Sequence, residues 1–309
     1  MKIEDKKIVV TGGAGFVGSY VVRKLKEEGA SNIVVPLSKE FDLRKREKCD
    51  EAVKGADIVI HLAAQIGGIG FISQHSGEIF YNNIVMGVQL MEASRIAGVK
   101  KFVGIGTACE YPEVIPLPFR EKDIWNGSPE DVTAPYGWAK KMLLIQGAAY
   151  KKQYGFNAIH VLPVNMYGPG DNFDVSSAHV IPSLIRKIVA ARNNKSDSVE
   201  VWGNGNATRE FLYVEDAAEG IVLATAKYDE VEAINLGTGI ETSIKEVTEM
   251  IMGIVGYKGK IAWNRSQPDG QPRRQLDIAK ARSIGFKAKT SLRQGLEKTV
   301  AWYEKNFKQ

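Results

Sequence analysis

Apolar residues along the chain occur in two alternating patterns. Short continuous runs at 7–11, 32–35, 57–62 and 101–106 predict buried strands. Apolar positions three or four residues apart, as between about 79 and 97, predict amphipathic helices. Alternation of the two patterns is typical of parallel sheets covered by helices. The chain is therefore predicted to have an α/β fold of the Rossmann type, with a doubly wound parallel sheet.

The pattern changes after a predicted strand at 158–163, where the apolar runs become shorter and more mixed. We expect residues 1–164, with returning segments near 205–240, to form a dinucleotide-binding domain. Residues 165–309 are expected to supply the remainder, a smaller mixed α/β lobe that binds the substrate.

A glycine-rich turn follows the first predicted strand and opens a helix. Gly12, Gly15 and Gly18 lie in this turn together with Phe16 and Val17. Glycines there allow a tight turn and let backbone N–H groups approach a pyrophosphate at the helix N-terminus. Because the turn lies between a strand and a helix, it predicts a dinucleotide site to which all five residues contribute.

The segment after the second predicted strand indicates which dinucleotide binds. An NAD site normally has an acidic residue here for the ribose 2′-hydroxyl, whereas this chain has Ser38 and Lys39. A hydroxyl and a cation suit a 2′-phosphate, so NADP(H) is the predicted cofactor, although two exposed loop residues would give the same pattern. Asp42 and Leu43 are expected to flank the adenine.

Further cofactor contacts are expected where the other parallel strands end. Ligands of doubly wound sheets lie outside the carboxyl ends of the strands. Leu62, Ala63 and Ala64 follow the third strand, and Pro163 and Asn165 follow the fifth. These residues are predicted to line the cofactor site.

Composition and charge exclude several classes of protein. The net charge of +5 is small for 309 residues and the basic side chains are scattered, so a nucleic-acid surface is not predicted. No apolar run reaches membrane length, and the charged first residues leave no room for a signal peptide. Cys49 and Cys109 lack Cys-x-x-Cys spacing, which argues against a metal site or disulfide framework and favours the cytoplasm.

Tyr136 and Lys140 are four residues apart in a predicted helix and so share one face. An ammonium group near a phenol favours the phenolate, so we expect Lys140 to lower the pKa of Tyr136. Such a tyrosine could exchange a proton with a carbonyl oxygen during hydride transfer. The same spacing also occurs by chance on helix surfaces, so it indicates a catalytic pair only when other motifs in the chain support that function.

Such support comes from a family resemblance. Thr-Gly-x-x-Gly-x-x-Gly at 11–18, His-Leu-Ala-Ala at 61–64, Thr107 and Tyr136-x-x-x-Lys140 occur in the order typical of extended short-chain dehydrogenase/reductases, which the chain resembles from Lys7 to about Phe307. Within that family it is similar to the enzymes that epimerise and then reduce GDP-linked 4-keto-6-deoxy sugars. The segments that carry this narrower similarity are 62–69, 106–112, 168–173, 177–182, 201–205 and 268–273.

The resemblance implies roles for five residues. Thr107 takes the place of a catalytic serine, Tyr136 that of the proton donor and Lys140 that of its helper, while Cys109 and His179 correspond to the acid/base pair of epimerisation. Tyr136, Lys140 and His179 would also contact NADP(H). The chain departs from the family at Thr107-Ala108, where Ser-Ser is usual, and at Glu110, where an apolar residue is common.

The resemblance further implies a GDP-linked 4-keto sugar as substrate, bound by residues 165–309 as a nucleotide-sugar lobe. Helices near 79–97 and 136–154 would pair in a homodimer, and neither a nucleic acid nor a membrane is expected as a partner. The substrate-binding residues implied are Asn165, Lys187, Trp202, Arg209, Asp269 and Arg273.

Other functions remain open at the level of sequence. A relative could reduce a dideoxy or heptose sugar, because such a substrate presents the same ketone. A 4-epimerase or dehydratase with tightly bound NAD would use the same fold, but it has no need of the pair Cys109 and His179. A non-catalytic NADP-binding protein would not be expected to retain all five side chains.

Overall fold

The computed structural model describes residues 1–267 and 270–307. The strands are β1 Lys7–Thr11, β2 Asn32–Val34, β3 Ile58–His61, β4 Lys101–Ile105, β5 Ala158–Pro163, β6 Asn165–Tyr167, β7 Ser198–Trp202, β8 Thr208–Tyr213, β9 Ile234–Leu236, β10 Glu241–Ser243 and β11 Lys260–Asn264. The helices are α1 Phe16–Glu27, α2 Arg46–Ala52, α3 Ile69–Gln74, α4 Ser76–Ile96, α5 Ala134–Tyr154, α6 Val180–Asn193, α7 Val214–Lys227, α8 Ile244–Val255, α9 Ala279–Ser283 and α10 Leu292–Asn306.

Six of these strands form a central sheet in the order β2-β1-β3-β4-β5-β9. All of its pairings are parallel, and Val9 of β1 lies opposite Val34 on one side and Val59 on the other. The inner strands are buried on both faces, which explains their continuous apolar runs. The prediction of a doubly wound parallel sheet is confirmed.

The strand order reverses between β1 and β3, because the chain first adds β2 on one side of β1 and then β3 on the other. A crevice opens at such a reversal, outside the carboxyl ends of the strands. The turns after β1, β3, β4 and β5 all lie at this edge. The fold therefore places the predicted cofactor residues on one side of the sheet.

Helix α5 carries Tyr136 and Lys140, and its ends explain why it forms there. Pro135 lies in the first turn, where its fixed φ suits a helix and its missing N–H costs nothing. Gly155 ends the helix in the left-handed conformation, with φ of 67°. Helix α4 packs beside α5 and begins at Ser76, three residues before the predicted position.

The second half of the chain contains two smaller sheets, β10-β8-β6 and β11-β7. Helices α6, α8 and α10 pack with them around a separate apolar core that includes Ile185, Val247 and Tyr303. This arrangement confirms the predicted smaller mixed lobe. The division of the chain at residue 164 stays a prediction.

The two halves meet at the carboxyl edge of the central sheet. Strand β9 returns to pair with β5, and the Gly68 N–H donates to the Ser177 carbonyl oxygen at 2.9 Å. That hydrogen bond joins the turn after β3 to the residues that precede α6. Within 1–267 and 270–307, none of the helices is long and apolar enough to cross a membrane.

Candidate active site

A cavity of about 1350 Å³ lies between the two halves, along the carboxyl edge of the central sheet. One end is formed by the turns after β1 and β2, and the other by the start of α6 and the ends of β7 and β8. Its volume exceeds that of a typical site for one drug-sized ligand. The cavity is therefore large enough for a dinucleotide and a second ligand together.

The first end of the cavity contains the predicted cofactor residues. At Gly18 a side chain would be impossible, because a Cβ would lie 2.0 Å from the Gly12 carbonyl oxygen. This close packing brings the start of α1 against the turn, the arrangement in which a helix N-terminus can approach a phosphate. The predicted residues that line this part are Gly12, Gly15, Phe16, Val17, Gly18, Ser38, Lys39, Asp42, Leu43, Leu62, Ala63, Ala64 and Pro163.

The region expected to hold a 2′-phosphate contains one cation that the sequence did not predict. Ser38 and Lys39 are exposed on the cavity wall, and Arg44 joins them there. Arg44 Nε donates to Asp42 Oδ1 at 2.9 Å, and this hydrogen-bonded guanidinium holds the pKa of Asp42 at about 2. Arg44 is two residues beyond Asp42, so only the folded turn shows that it reaches the cavity.

Cys109 lies on a short 3-10 turn, Ala108–Glu110, that follows β4, and Thr107 is the N-cap residue of this turn. The Thr107 hydroxyl accepts from the Cys109 N–H at 3.2 Å, and the Glu110 carboxylate accepts from the Thr107 N–H at 2.9 Å. This reciprocal capping box holds both residues at the cavity wall. The turn therefore places a hydroxyl and a thiol at one site.

Glu110, where the chain departs from the family pattern, is fully buried beneath this turn. His160 on β5 faces it, and His160 Nε2 lies 2.9 Å from Glu110 Oε2. The departure is thus explained by a buried hydrogen-bonding partner from the neighbouring strand. The sequence did not predict the role of His160. His160 and Glu110 are far apart in the chain, and they meet only because β4 and β5 are neighbours in the sheet.

Tyr136 and Lys140 lie on the face of α5 that packs against this wall, and both are buried. The Lys140 Nζ atom is 5.9 Å from the centre of the Tyr136 ring. Tyr136 lines the cavity, whereas Lys140 lies behind it and is not among the described residues that line the cavity.

The prediction that Lys140 lowers the pKa of Tyr136 is wrong for the protein by itself. Burial raises the pKa of the Tyr136 phenol well above its usual range, and the neighbouring Cys109 and Glu110 act in the same direction. Burial also lowers the pKa of Lys140 to about 8, while the Glu110 carboxylate acts in the opposite direction. Tyr136 is therefore a neutral phenol that can donate a proton.

Helix α5 approaches the 3-10 turn unusually closely at Gly137. A Cβ at this position would lie 2.3 Å from the Cys109 carbonyl oxygen. Tyr136 also packs with Ile72 and Ile79, against which Cys109 lies partly buried. The glycine beside Tyr136 thus permits the contact that brings phenol and thiol to the same wall.

His179 is the residue immediately before α6 and lies on the cavity wall, exposed to the solvent within the cavity. The cavity walls around the ring lower the pKa of its imidazole, because they shield it from bulk water and so disfavour the charged form. Its side chain makes no capping hydrogen bond to the helix. The ring is therefore available to a ligand.

The implied substrate residues fall into two groups. Asn165, Lys187, Trp202 and Arg209 line the cavity. Lys187 Nζ lies 3.2 Å from the Glu200 carbonyl oxygen and 5.7 Å from the centre of the Trp202 ring, so a cation and an aromatic face are adjacent.

The other two implied residues are not on the cavity wall. Arg273 forms an ion pair with Glu241, is largely exposed and is absent from the described cavity lining. Its neighbour Arg274 lines the cavity instead. The ion pair with Glu241 on β10 directs the Arg273 side chain away from the cavity. The sequence has two consecutive arginines and does not show which of them enters the cavity. Asp269 lies outside the described residues.

Asp171 is a further cavity residue to which the sequence assigned no role. It is 7% exposed, and its Oδ2 atom has no hydrogen-bond partner among the described residues. Its Oδ1 atom accepts from the Asn172 N–H at 2.7 Å. Burial raises the pKa of this carboxyl from its usual value of 3.8 to about 7.

The arrangement can perform proton transfer on both sides of a bound carbonyl compound. Thr107 and Tyr136 can donate hydrogen bonds to a carbonyl oxygen, where negative charge develops when an adjacent carbon loses a proton. Cys109 lies on the same wall, and His179 enters the cavity from the second half of the chain. A thiol and an imidazole are suitable groups for moving protons near neutral pH.

Comparisons with known proteins identify the family of the chain. The family model described as "NAD dependent epimerase/dehydratase family" matches residues 8–237. "GDP-L-fucose synthase 1" of Arabidopsis thaliana is 36% identical over 308 residues, which cover 99% of this chain and 95% of that protein.

Two solved structures are similar along nearly the whole chain. A GDP-6-OMe-4-keto-L-xylo-heptose reductase from C. jejuni is 28% identical, with a TM-score of 0.92 over 98% of this chain and 99% of that one. A GDP-L-fucose synthetase from Naegleria fowleri bound to NADP is 30% identical, with a TM-score of 0.89 over 98% of this chain and 95% of that one.

Proposed function

The chain belongs to the NAD dependent epimerase/dehydratase family, and we propose that it is a GDP-L-fucose synthase. In this reaction GDP-4-keto-6-deoxy-D-mannose is epimerised at C3 and C5, and its C4 ketone is then reduced with NADPH. The observation that carries the proposal is the meeting of Thr107, Cys109, Tyr136 and His179 in one cavity. Its relatives with the same printed activity, 36% and 30% identical, support the substrate.

NADP(H) is the proposed cofactor, and the first end of the cavity fits it. Gly12, Gly15 and Gly18 line this end, where a pyrophosphate would lie at the start of α1, and Ser38, Lys39 and Arg44 offer a hydroxyl and two cations to a 2′-phosphate. When bound, NADPH supplies the hydride that reduces the C4 ketone. Lys140, behind Tyr136, is proposed to reach the nicotinamide ribose.

Epimerisation depends on acidity that the ketone confers on its neighbours. Removal of the hydrogen on C3 or C5 leaves an electron pair that spreads onto the ketone oxygen. Thr107 and Tyr136 are proposed to stabilise that oxygen by hydrogen bonds. Of Cys109 and His179, one removes the proton from carbon and the other returns a proton to the opposite face.

Reduction uses the same hydroxyl groups. As the ketone becomes an alcohol, its oxygen needs a proton, and the neutral Tyr136 phenol is placed to donate one. Lys140, whose pKa burial lowers to about 8, stabilises the tyrosinate that results while it remains protonated. One pair of hydroxyl groups therefore serves both halves of the reaction.

The second half of the chain is proposed to bind the GDP moiety. Arg209 and Lys187 carry positive charge suited to the pyrophosphate, and Trp202 offers a flat apolar face beside Lys187 to the guanine. Asn165 is proposed to contact a phosphate or sugar hydroxyl from the start of β6.

Assembly and location form the remaining parts of the proposal. Helices α4 and α5 expose Phe80, Tyr81 and Ile145, which could pack in a homodimer. The free cysteines Cys49 and Cys109 suit a reducing cytoplasm.

Two assays test the function. NADPH oxidation should depend on GDP-4-keto-6-deoxymannose, and incubation in heavy water without NADPH should place deuterium at C3 and C5. Cys109→Ser should suppress the exchange, whereas Cys49→Ser is the matched control because Cys49 is buried away from the cavity. The proposal fails if no 4-keto GDP sugar supports NADPH oxidation.

A second candidate is the reduction of a related GDP-linked 4-keto sugar, such as a heptose. The similarity to the C. jejuni heptose reductase, with a TM-score of 0.92, favours this alternative. Rates of NADPH oxidation over a panel of GDP-linked 4-keto sugars separate the two candidates. The preferred sugar is the one with the highest kcat/KM.

A further inference from the structure

A guanidinium group contacts the sulfur of Cys109. Arg274 Nη1 lies 3.4 Å from the Cys109 Sγ atom. Arg274 is only 8% exposed and lines the same cavity. A permanent positive charge therefore lies beside a thiol that the proposed reaction uses for proton transfer.

Other protein groups hold this guanidinium in place. Arg274 Nη2 donates to Glu130 Oε2 at 3.2 Å, and Arg274 Nε donates to Gln271 Oε1 at 3.0 Å. Gln271 is anchored in turn, because its Nε2 donates to the Glu113 carbonyl oxygen at 2.7 Å. The position of Arg274 is thus set by the protein, and its charge is shared between the Glu130 carboxylate and the sulfur.

Within residues 1–267 and 270–307, the other titratable groups near Cys109 do not supply a comparable cation at the sulfur. Tyr136 approaches from α5 as a neutral phenol, and Glu110 turns its carboxylate towards His160. Lys140 lies behind Tyr136. Negative charge on the sulfur would be stabilised chiefly by Arg274, since a cation beside a thiol favours the thiolate.

We propose that Arg274 is a positioning residue that holds Cys109 as the thiolate base of epimerisation. The inference rests on the proposed function and deepens it, because it names a residue outside the pair Cys109 and His179 that acts on the Cys109 sulfur. In this step the carbon–hydrogen bond breaks, the proton moves to Sγ and the electron pair moves onto the ketone oxygen. A proton from His179 returns to carbon on the opposite face, and the proton on sulfur then passes through solvent to His179. Both groups are thereby restored.

Alkylation of the free enzyme by iodoacetamide tests the thiolate without any substrate. The rate at Cys109 is measured against pH, and the site is identified by mass spectrometry. Cys49 is fully buried and burial raises its pKa to about 12, so it does not compete. Arg274→Met should slow alkylation of Cys109 about tenfold near pH 7, with the rates converging at high pH.

Two further variants keep the test decisive. Arg273→Met removes the adjacent arginine, which pairs with Glu241 outside the cavity, and should leave the alkylation rate unchanged. Glu130→Gln releases the guanidinium from its carboxylate and should accelerate alkylation severalfold. An acceleration of this kind is not expected if Arg274 only supports the fold. If Arg274→Met does not fold, Arg274→Lys and Glu130→Gln provide the test.

The result that would overturn the inference is an alkylation profile that Arg274→Met and Glu130→Gln both leave equal to wild type, in proteins with native circular dichroism. This result would leave the proposed function standing, since the assay contains no substrate. Conversely, a slowed profile in a protein that acts on no GDP sugar would support the role of Arg274 at Cys109 and reject the synthase assignment alone.

Discussion

The two walls of the cavity are built differently. The wall on the central sheet holds Tyr136 and Lys140 buried, and it supports Thr107 through the buried pair Glu110 and His160. The opposite wall comes from the second half of the chain. There His179 is exposed to the cavity solvent and Trp202 is 45% exposed.

This difference separates chemistry from recognition. Hydroxyl groups that react need fixed positions, and the buried network on the sheet wall holds them in place. Because the same network stabilises the fold, a change in it affects both activity and stability. His179 and Trp202 on the opposite wall are exposed and carry little of the fold, so they can change with the sugar. Substitutions on the sheet wall should therefore affect activity and stability together, whereas those on the opposite wall should affect activity alone.

The largest effect is expected from Tyr136→Phe on the sheet wall. The phenylalanine ring preserves the packing against Ile72 and Ile79 but removes the proton donor. NADPH oxidation should fall by roughly 10³-fold. Deuterium exchange at C3 and C5 should fall less, because the Thr107 hydroxyl still contacts the ketone oxygen. Retention of reduction within about tenfold of wild type would contradict the assignment of Tyr136 as the donor.

Glu110→Ala should show most clearly that activity and stability are linked on the sheet wall. It leaves His160 buried without its partner and removes the acceptor of the Thr107 N–H. The free energy of unfolding, measured by chemical denaturation, should fall by roughly 3 kcal/mol. Glu110→Gln is the matched variant, because it keeps an acceptor for Thr107 and should cost only about 1 kcal/mol. Equal losses in the two variants would show that the charge matters and the capping bond does not.

His179→Gln tests the opposite wall. Deuterium exchange should fall by roughly 10²-fold, because the proton-transfer group is lost. The free energy of unfolding should change by less than about 0.5 kcal/mol, since the side chain makes no capping bond to α6. A large loss of stability would mean that the two walls do not differ as described.

Asp171→Asn gives the smallest effect and marks an exception on the opposite wall. Burial raises the pKa of Asp171 from 3.8 to about 7, so the folded state favours the protonated carboxyl. The stability that this proton contributes is fully present below about pH 4 and is lost as pH rises through 7. Asp171→Asn should therefore be more stable than wild type at pH 8 and equal to it at pH 4. Thermal unfolding at the two pH values measures the difference, and a constant gap between the proteins would contradict the raised pKa.

Much of the fold could be predicted from the chain. Continuous apolar runs predict buried parallel strands because both faces of such strands are covered, and the glycine turn at Gly12, Gly15 and Gly18 predicts where a dinucleotide lies. Element ends were less accurate, with β2 ending at Val34 and α4 beginning at Ser76. Caps and tertiary packing decide those ends, and short apolar patterns carry little information about them.

The sequence by itself determined which candidate reacting groups are present. Thr107, Cys109, Tyr136, Lys140 and His179 are identified by motif order, because each motif is short and its residues act within one turn or helix. Only the tertiary structure decided what surrounds those groups. His160 reaches Glu110 across two strands, Arg274 rather than Arg273 reaches Cys109, and burial rather than Lys140 determines the pKa of Tyr136. Those outcomes depend on distances between residues far apart in the chain and on exclusion of water, neither of which a local pattern contains.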